Sequence, residues 1–494
     1  MTGNGVAGGP SSPSESSTSN RMCNFPYSTV FVASLGYFII GNSIAWSSHA
    51  IFFLLMVIPP PFFILSEDPD VKFFYVIASL SFVATLIPLV VYKMLNAVSL
   101  KSFLILAAFF ATLSWVVPFV GDSIGIPPLY GAIGGRLMGG VAVGVFHFLV
   151  PIYLEDLMAS GSCKDTRLLI DNVLCTQFAM GVLTQYGAAG YLHSRTVIAL
   201  LSLIPALLIT IGLFFIPQSP RYLCNVGRNG AARDILRQFR GMLRYSEDTK
   251  QIDADIDFWS SKQDQIAFGT IFENVNSIKL LFPTLGLIFW EQMIGIVVIF
   301  FYLIPCLHHL YDGDTGIVET LLVASGFIVG TILGAFTRFR INPKYLLVSC
   351  GIIMGILLII IGNNDLLQRS TNRAKRNFGY IPAVCFAIFL LFYAFGYRRS
   401  VSVYQHHLIE RKKLLLWRSL SVTIAWATVT FIAWIFAYGW PVVGLGWILI
   451  FIGCISLLAV VFIVACVPSS IERDLSHSAD QVESIDNIPG DSML

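Results

Sequence analysis

About a dozen apolar runs, each near the roughly 20 residues a helix needs to cross the hydrocarbon core of a bilayer, decide what this chain can become. They fall near 29–57, 72–95, 102–121, 128–154, 168–192, 196–216, 280–307, 316–337, 345–362, 379–408, 417–438 and 441–467. Of 494 residues, 56% are hydrophobic and only 12% charged, whereas a soluble domain carries about twice that charge. Backbone in lipid must satisfy its own hydrogen bonds, so the runs are expected as helices. The fold class that follows is an all-α membrane protein with twelve transmembrane helices. Residues 1–27 are polar and rich in Gly, Ser and Pro, and are expected to be disordered. They lack the compact apolar core and cleavage site of a signal peptide, so the first span is expected to insert as its own anchor.

The stretch Pro217–Leu223, PQSPRYL, follows the sixth run and divides the chain into similar parts. The expected organisation is a six-helix half at 28–217, a linker at 218–279, a second six-helix half at 280–467 and a flexible tail at 468–494. Within the linker, 227–243 shows helical apolar spacing at Ala231, Ile235, Leu236 and Phe239, which predicts a short amphipathic helix at the cytoplasmic surface. The Lys and Arg residues concentrate on segments that a cytoplasmic N-terminus would keep inside, so both termini are expected in the cytoplasm. Arg369, Arg373, Lys375 and Arg376 run against that bias, as a late loop can when earlier helices set the orientation. Spans of this length suit a plasma membrane.

Two matched helical halves around a midplane cavity are the usual plan of an alternating-access transporter. The expected partners are therefore the lipid bilayer and a small polar solute. No Walker loop, zinc spacing or nucleophile elbow is present. The nine cysteines are scattered singly, without a metal spacing, and the basic residues are spread as on a solvated face. No enzyme, cofactor, metal or nucleic-acid function is expected.

Particular residues then carry a resemblance. PQSPRYL is close to a P-E-[ST]-P-R-[WY]-L pattern, followed by Gly227, Arg228, Ala232, Leu236, Arg240 and Gly241. Gly135, Arg136, Gly139, Gly144, Pro151 and Tyr153 approach GR…G…G…PxYxxE. Glu291, Gln292, Gly295, Ile296 and Tyr302 approach Q-Q-x-[ST]-G-I-N…Y. In this order and on these runs, they resemble the sugar porter family of the major facilitator superfamily, and within it the insect-type trehalose and glucose facilitators. The resemblance covers about 30–470. It implies two pseudo-symmetric six-helix halves and transport of a hexose or a trehalose-like disaccharide by alternating access, with facilitated diffusion the simpler expectation since span one holds no acid, and Glu291 the one deep carboxylate that could couple protons. It also implies a conformational latch of charges, here Arg136, Asp156, Arg167, Arg221, Arg338 and Arg340, for which interfacial anchoring is the alternative reading. The glycines Gly135, Gly139, Gly140 and Gly144 have the small-xxx-small spacing that lets helix backbones approach in lipid.

The chain also departs from the family. The acid of the turn between spans two and three is missing, leaving Lys93 and Lys101. The turn at 336–346 keeps Arg338, Arg340 and Lys344 without a carboxylate, and Gln218 replaces a glutamate. In the tenth run the family's G-P-x-P-W gives way to Arg398, Arg399, Ser400, Val401 and Ser402, so no proline bends the helix. Two arginines in a span cost roughly 2.5–3.5 kcal/mol each on insertion scales. Glu291 offers a partner to Arg398 or Arg399, unless a local insertion leaves both arginines at the cytoplasmic edge. The candidate substrate-binding residues are Gln177, Glu291, Gln292, Tyr302, Arg398, Ser402, Trp426 and Ser47, with Ser48 beside it. His49 reads either as helix packing or as a proton relay. Two other functions stay open: a carrier of an anionic solute drawn by Arg398 or Arg399, and a sensor that no longer transports.

Overall fold

The computed structural model describes residues 16–56, 69–95, 97–158, 164–191, 195–240, 248–261, 275–311, 317–336, 342–370, 380–408 and 413–467. Its first half holds α1 (Ser16–Met56), α2 (Pro69–Met94), α3 (Leu100–Ser123), α4 (Pro128–Met158), α5 (Lys164–Tyr191) and α6 (Arg195–Phe215). Three short helices follow: α7 (Pro220–Asn225), α8 (Asn229–Arg240) and α9 (Asp248–Ser260). The second half holds α10 (Val275–Met293), α11 (Ile296–Leu310), α12 (Ile317–Phe336), α13 (Pro343–Ser370), α14 (Ile381–Phe392), α15 (Arg398–Leu408), α16 (Leu414–Val443) and α17 (Leu445–Cys466).

Two of the twelve rods are composite. At Gly295 the backbone turns left-handed, with φ 103°, and separates α10 from α11. A Cβ at Gly295 would lie 2.8 Å from Leu358, so both conformation and space require glycine there. Between α14 and α15 the chain widens into a π turn over Tyr393–Tyr397.

Among the described residues, eleven helices are long and apolar enough to cross a membrane. The remaining rod, α5, has 28 residues and so runs about 42 Å at 1.5 Å per residue. It carries Lys164, Asp165, Arg167 and Asp171 near its start, and its polar stripe turns inward, away from lipid. The helix α1 begins inside the N-terminal segment expected to be disordered: no Gly or Pro lies between Ser16 and Phe25 to break a helix.

The packing has a twofold logic. Within the halves, α3 lies on α6 and α13 on α17, while α2 lies on α4 and α12 on α14. Across the halves, α2 meets α16 and α12 meets α5, two contacts that exchange if the halves exchange; α1 meets α11 across the axis. On α4, a Cβ at Gly135 would meet the Ser114 carbonyl oxygen at 2.5 Å, and one at Gly140 the Leu80 oxygen at 2.6 Å. The glycine stripe therefore seats α4 between α3 and α2.

The degenerate turns have a structural use. The Lys101 Nζ, at the start of α3, donates to the carbonyls of Phe214 and Ile216 at 3.0 and 2.6 Å. The Lys344 Nζ, at the start of α13, donates to those of Val464 and Val467 at 3.3 and 2.8 Å. Each lysine covers the C-terminal carbonyls of the neighbouring helix, α6 or α17, where a cation also complements the helix dipole.

The linker helix expected over 227–243 starts later, at Asn229, with 241–243 outside the described residues, and its apolar face is rotated. Ala231 is exposed, and α8 buries Ala232, Leu236 and Phe239. Together with Leu223, Cys224, Ile252, Ile256 and Trp259, Ala232 and Leu236 form a small separate core. Arg240 and Asp255 pair inside this cap at 2.7 Å. The apolar face of α8 is thus covered by α7 and α9, and no face is left over to lie on lipid.

Candidate functional site

Two connected chambers lie between the halves. The one nearer the face that carries α7–α9, the linker face, is polar. It is lined by Asp171, Asn172 and Cys175 of α5, Glu291 and Gln292 of α10, Arg398, Arg399, Ser402 and Gln405 of α15, and Arg418 and Ser421 of α16. Beyond it lies an aromatic chamber walled by Phe178, Phe300, Phe301, Phe327, Tyr393 and Trp426. Tyr37, His147, Gln292 and Arg398 border both. The polar chamber has about 100 Å³ open to the centres of water molecules and the aromatic one about 80 Å³.

The register of α5 explains the polar wall. Leu168, Asp171, Asn172, Cys175 and Phe178 recur every three or four residues, the spacing of one helix face. Gln177 is off that face and lines neither chamber; Cys175 and Phe178 stand where a glutamine was expected.

Arg398 sits where the chambers join. Its Nη1 lies 3.6 Å from Glu291 Oε1, and its Nε donates to Cys175 Sγ at 3.0 Å. The Tyr393 hydroxyl donates to the same Glu291 oxygen at 3.0 Å. Ten residues separate Arg398 from the end of α15, about 15 Å of rise, so it is not at the membrane edge. Its side chain keeps 31% of its exposure, against 7% for Glu291; the guanidinium looks into the cavity while the carboxylate stays behind it. A long ion pair of this kind is weaker than the 2.7–2.9 Å contacts of tight charged hydrogen bonds.

The π turn sets this geometry. It places one more residue in the turn than an α-helix would, just before the two arginines, and such turns recur at functional sites. The missing proline thus has a counterpart in a different device. Gly396, within it, lets α13 approach: a Cβ there would lie 2.3 Å from Cys350 Sγ.

The other candidate residues divide. Gln292 borders both chambers, and Ser402 lines the polar one, hydrogen bonded to Asp171. Trp426 lines the aromatic chamber and donates its indole N–H to His147 Nδ1 at 3.1 Å. Tyr302 lines neither chamber: its hydroxyl donates to the Ala433 carbonyl at 3.0 Å, and its ring lies 4.4 Å from that of Phe436. Ser47 is fully buried and outside both chambers, while Ser48 Oγ accepts the Ile304 N–H at 2.8 Å. This last contact joins α1 to α11. Beside it the Tyr186 hydroxyl of α5 donates to the Phe300 carbonyl at 3.1 Å, and together they close the halves beyond the aromatic chamber.

The latch residues also separate. Arg221 and Asp156 pair at 2.6 Å, Ser219 donates to Asp156 at 3.3 Å, and the Tyr153 hydroxyl donates to the Pro217 carbonyl at 2.9 Å. These contacts fasten α7 to α4, both of them carried by the first half, and a latch needs partners on bodies that separate. Arg136 lies 20 residues before Asp156 on α4, about 30 Å away along the helix. It donates to the Ser43 carbonyl at 2.5 Å and stacks on Trp46 at 4.2 Å, again inside the first half. Arg167 is partly buried in the first turn of α5. Arg338 and Arg340 lie outside the described residues.

A buried ion pair that crosses the halves was not singled out from sequence. Arg418 of α16 donates to Glu155 of α4 at 2.9 Å, with both side chains about nine-tenths buried. Glu155 adjoins Asp156, and in sequence the pair is indistinguishable from two acids at a helix end. Among the described residues no group of His, Cys, Asp and Glu could hold a metal ion.

Comparison with known proteins places this geometry. Residues 29–480 match the family model described as "Sugar (and other) transporter". A facilitated trehalose transporter of Drosophila grimshawi is 23% identical over 397 residues, covering 76% of this chain and 40% of that protein. A second, from Drosophila willistoni, is 24% identical over 400 residues and is matched over 44% of its length. The chain therefore spans less than half the length of these two relatives. Another, from Apis mellifera ligustica, is 24% identical over 69% of this chain and 67% of that protein. The partially occluded inward-open structure of the xylose transporter XylE from E. coli superposes with a TM-score of 0.72 at 18% identity, over 90% of this chain and 98% of that one.

Proposed function

Because this chain belongs to the sugar porter family of the major facilitator superfamily, we propose that it carries a sugar through a membrane by rocking its halves about the two chambers. The observation that carries this reading is the cavity between the halves, sealed beyond the aromatic chamber by the Ser48–Ile304 and Tyr186–Phe300 contacts and polar towards the linker face. In such a cycle the far seal and the linker-face pair Glu155–Arg418, both formed here, open in turn, and Glu155–Arg418 acts as a latch of the linker face. The linker and both termini lie in the cytoplasm on this reading, and the membrane is the plasma membrane. The names of the relatives favour a sugar: trehalose for the insect proteins, and xylose and a bromo-deoxy-glucose for XylE. The mode is facilitated diffusion. Span one holds no acid, and the deep carboxylate Glu291 is already engaged by Arg398 and Tyr393.

One observation favours a second reading. The part-exposed guanidinium of Arg398, with its long contact to Glu291, could receive an organic anion. Proteoliposomes containing the full chain, given labelled glucose, trehalose and a panel of organic anions, decide between them. Saturable sugar uptake insensitive to a pH gradient is the expected result. Anion uptake without sugar uptake replaces the first reading with the second, and no flux of either kind leaves a sensor.

A further inference from the structure

The two chambers differ in what they can satisfy, and this bears on which sugar derivative they hold. In the polar chamber, donors and acceptors from α5, α10, α15 and α16 face the space, and three arginines have three carboxylates nearby: Glu291 by Arg398, Asp171 by Arg399, and Glu155 by Arg418. That balance suits a neutral, heavily hydroxylated group.

The aromatic chamber is the reverse. Most of its few polar atoms are engaged within the protein: the Tyr393 hydroxyl with Glu291, and the indole N–H of Trp426 with His147. The Gln292 amide and the Tyr37 hydroxyl remain at its border. Elsewhere its walls are Phe178, Phe300 and Phe327, packed edge-to-face with centroids 5.2–5.7 Å apart, together with aliphatic side chains. A second sugar ring placed there would leave several hydroxyls without partners, and each unmet hydrogen bond is penalised. An apolar ring would meet aromatic faces and edges, an arrangement that is favourable beyond burial alone. The space, about 80 Å³ open to water centres, is several times the roughly 10–15 Å³ that one water needs.

We propose that the preferred solute is amphipathic: a glycoside whose sugar lies in the polar chamber, against Asp171, Glu291 and Arg398, and whose apolar aglycone fills the aromatic chamber. This rests on the sugar-transport reading and narrows its substrate class, setting a glycoside with an aromatic aglycone above a free hexose and above a disaccharide.

The test uses the full chain in lipid nanodiscs, titrated with methyl β-glucoside, phenyl β-glucoside and trehalose, with tryptophan fluorescence and ligand-induced thermal shift as readouts. Phenyl β-glucoside is expected to bind about tenfold or more tightly than methyl β-glucoside, the scale on which burying an apolar ring shows in affinity. Trehalose is expected to bind no more tightly than the methyl compound. Phe178→Ala, and separately the milder Phe300→Leu, should shrink the advantage of the phenyl over the methyl compound to within about threefold. Because the methyl-to-phenyl comparison is made on the unaltered chain, the result does not depend on either variant folding. Equal affinities, or trehalose binding most tightly, overturn the proposal. Glucose or trehalose flux with no phenyl advantage overturns it alone and leaves sugar transport standing. Failure of every sugar to bind or to move overturns sugar transport, and this inference with it.

Discussion

Two side chains set the character of the cavity: Arg398, which looks into it, and Glu291 behind. Removing one partner of a buried ion pair costs about 3–5 kcal/mol when the pair is tight and dry. Here the contact is 3.6 Å and the arginine is part-exposed, so Glu291→Gln and Arg398→Gln are each expected to cost about 1–3 kcal/mol and to lower uptake at least tenfold. The exchange Glu291→Arg with Arg398→Glu should recover most of the thermal stability that either reversal alone removes, measured as Tm in the same lipid. Losses that simply add would mean the two do not interact. Outside the membrane, burial pushes the Cys224 thiol up to about 11. It stays protonated at pH 8, so alkylation of Cys224 should be slow there and accelerate only as pH approaches 11. The sequence exposed Glu291 and Arg398 because an ionised side chain inside an apolar run stands out. It hid Asp171, Glu155 and Arg418, because charges near a helix end look like ordinary anchors until the fold shows which of them face another helix. Gln177 failed for a related reason: a helix face is set by register, and a shift of two residues turns a side chain through about 200°.

At the level of single helices, the lysines at the starts of α3 and α13 do related work at pseudo-equivalent places. A cation on terminal carbonyls typically contributes about 0.3–1 kcal/mol and reaches about 2 when partly buried. Lys101→Met and Lys344→Met are each expected to lower stability by that amount, and the double variant by the sum, since distant sites add. Thermal unfolding of the three variants checks this, and a strongly non-additive double would show that the two ends communicate. Gly295→Ala brings two penalties, a left-handed backbone costing about 1–3 kcal/mol for a residue with a side chain and the 2.8 Å approach to Leu358. Its measured loss should exceed that of Gly230→Ala, where a Cβ meets nothing within 4 Å. The existence of these helices was legible from hydropathy alone, and even the polar α5 was counted among them. The π turn was not: it arises from a change in hydrogen-bond register that no residue type announces. The face of α8 was misread by one position, because Ala231 and Ala232 are equally apolar and only packing on α7 and α9 chooses between them.

For the molecule as a whole, a consequential contact is Glu155–Arg418, a buried charge pair from one half to the other on the linker face. Glu155→Gln leaves Arg418 without its counter-charge and favours states in which that face parts. Cys175 reports on this directly, since it is a free thiol lining the polar chamber. Its modification by a water-soluble thiosulfonate should speed up about tenfold or more in Glu155→Gln, as a shift of 1.4 kcal/mol or greater requires, and a bound glycoside should slow it. An unchanged rate would mean that other contacts hold the face shut. The division into matched halves could be read from the spacing of apolar runs and from PQSPRYL. The assignment of that motif as a brace within one half, with the crossing pair one residue away from Asp156, needed three dimensions.

The widened turn at 393–397 has a consequence for how the tenth rod tolerates length changes. It stores a surplus residue immediately before two consecutive arginines. Deleting one residue there would relax the turn to ordinary helix and leave the flanking residues in register, so that Arg398 keeps its place at the cavity. The rod thus carries a built-in allowance of one residue, and its cation stays at the cavity when that allowance is used up.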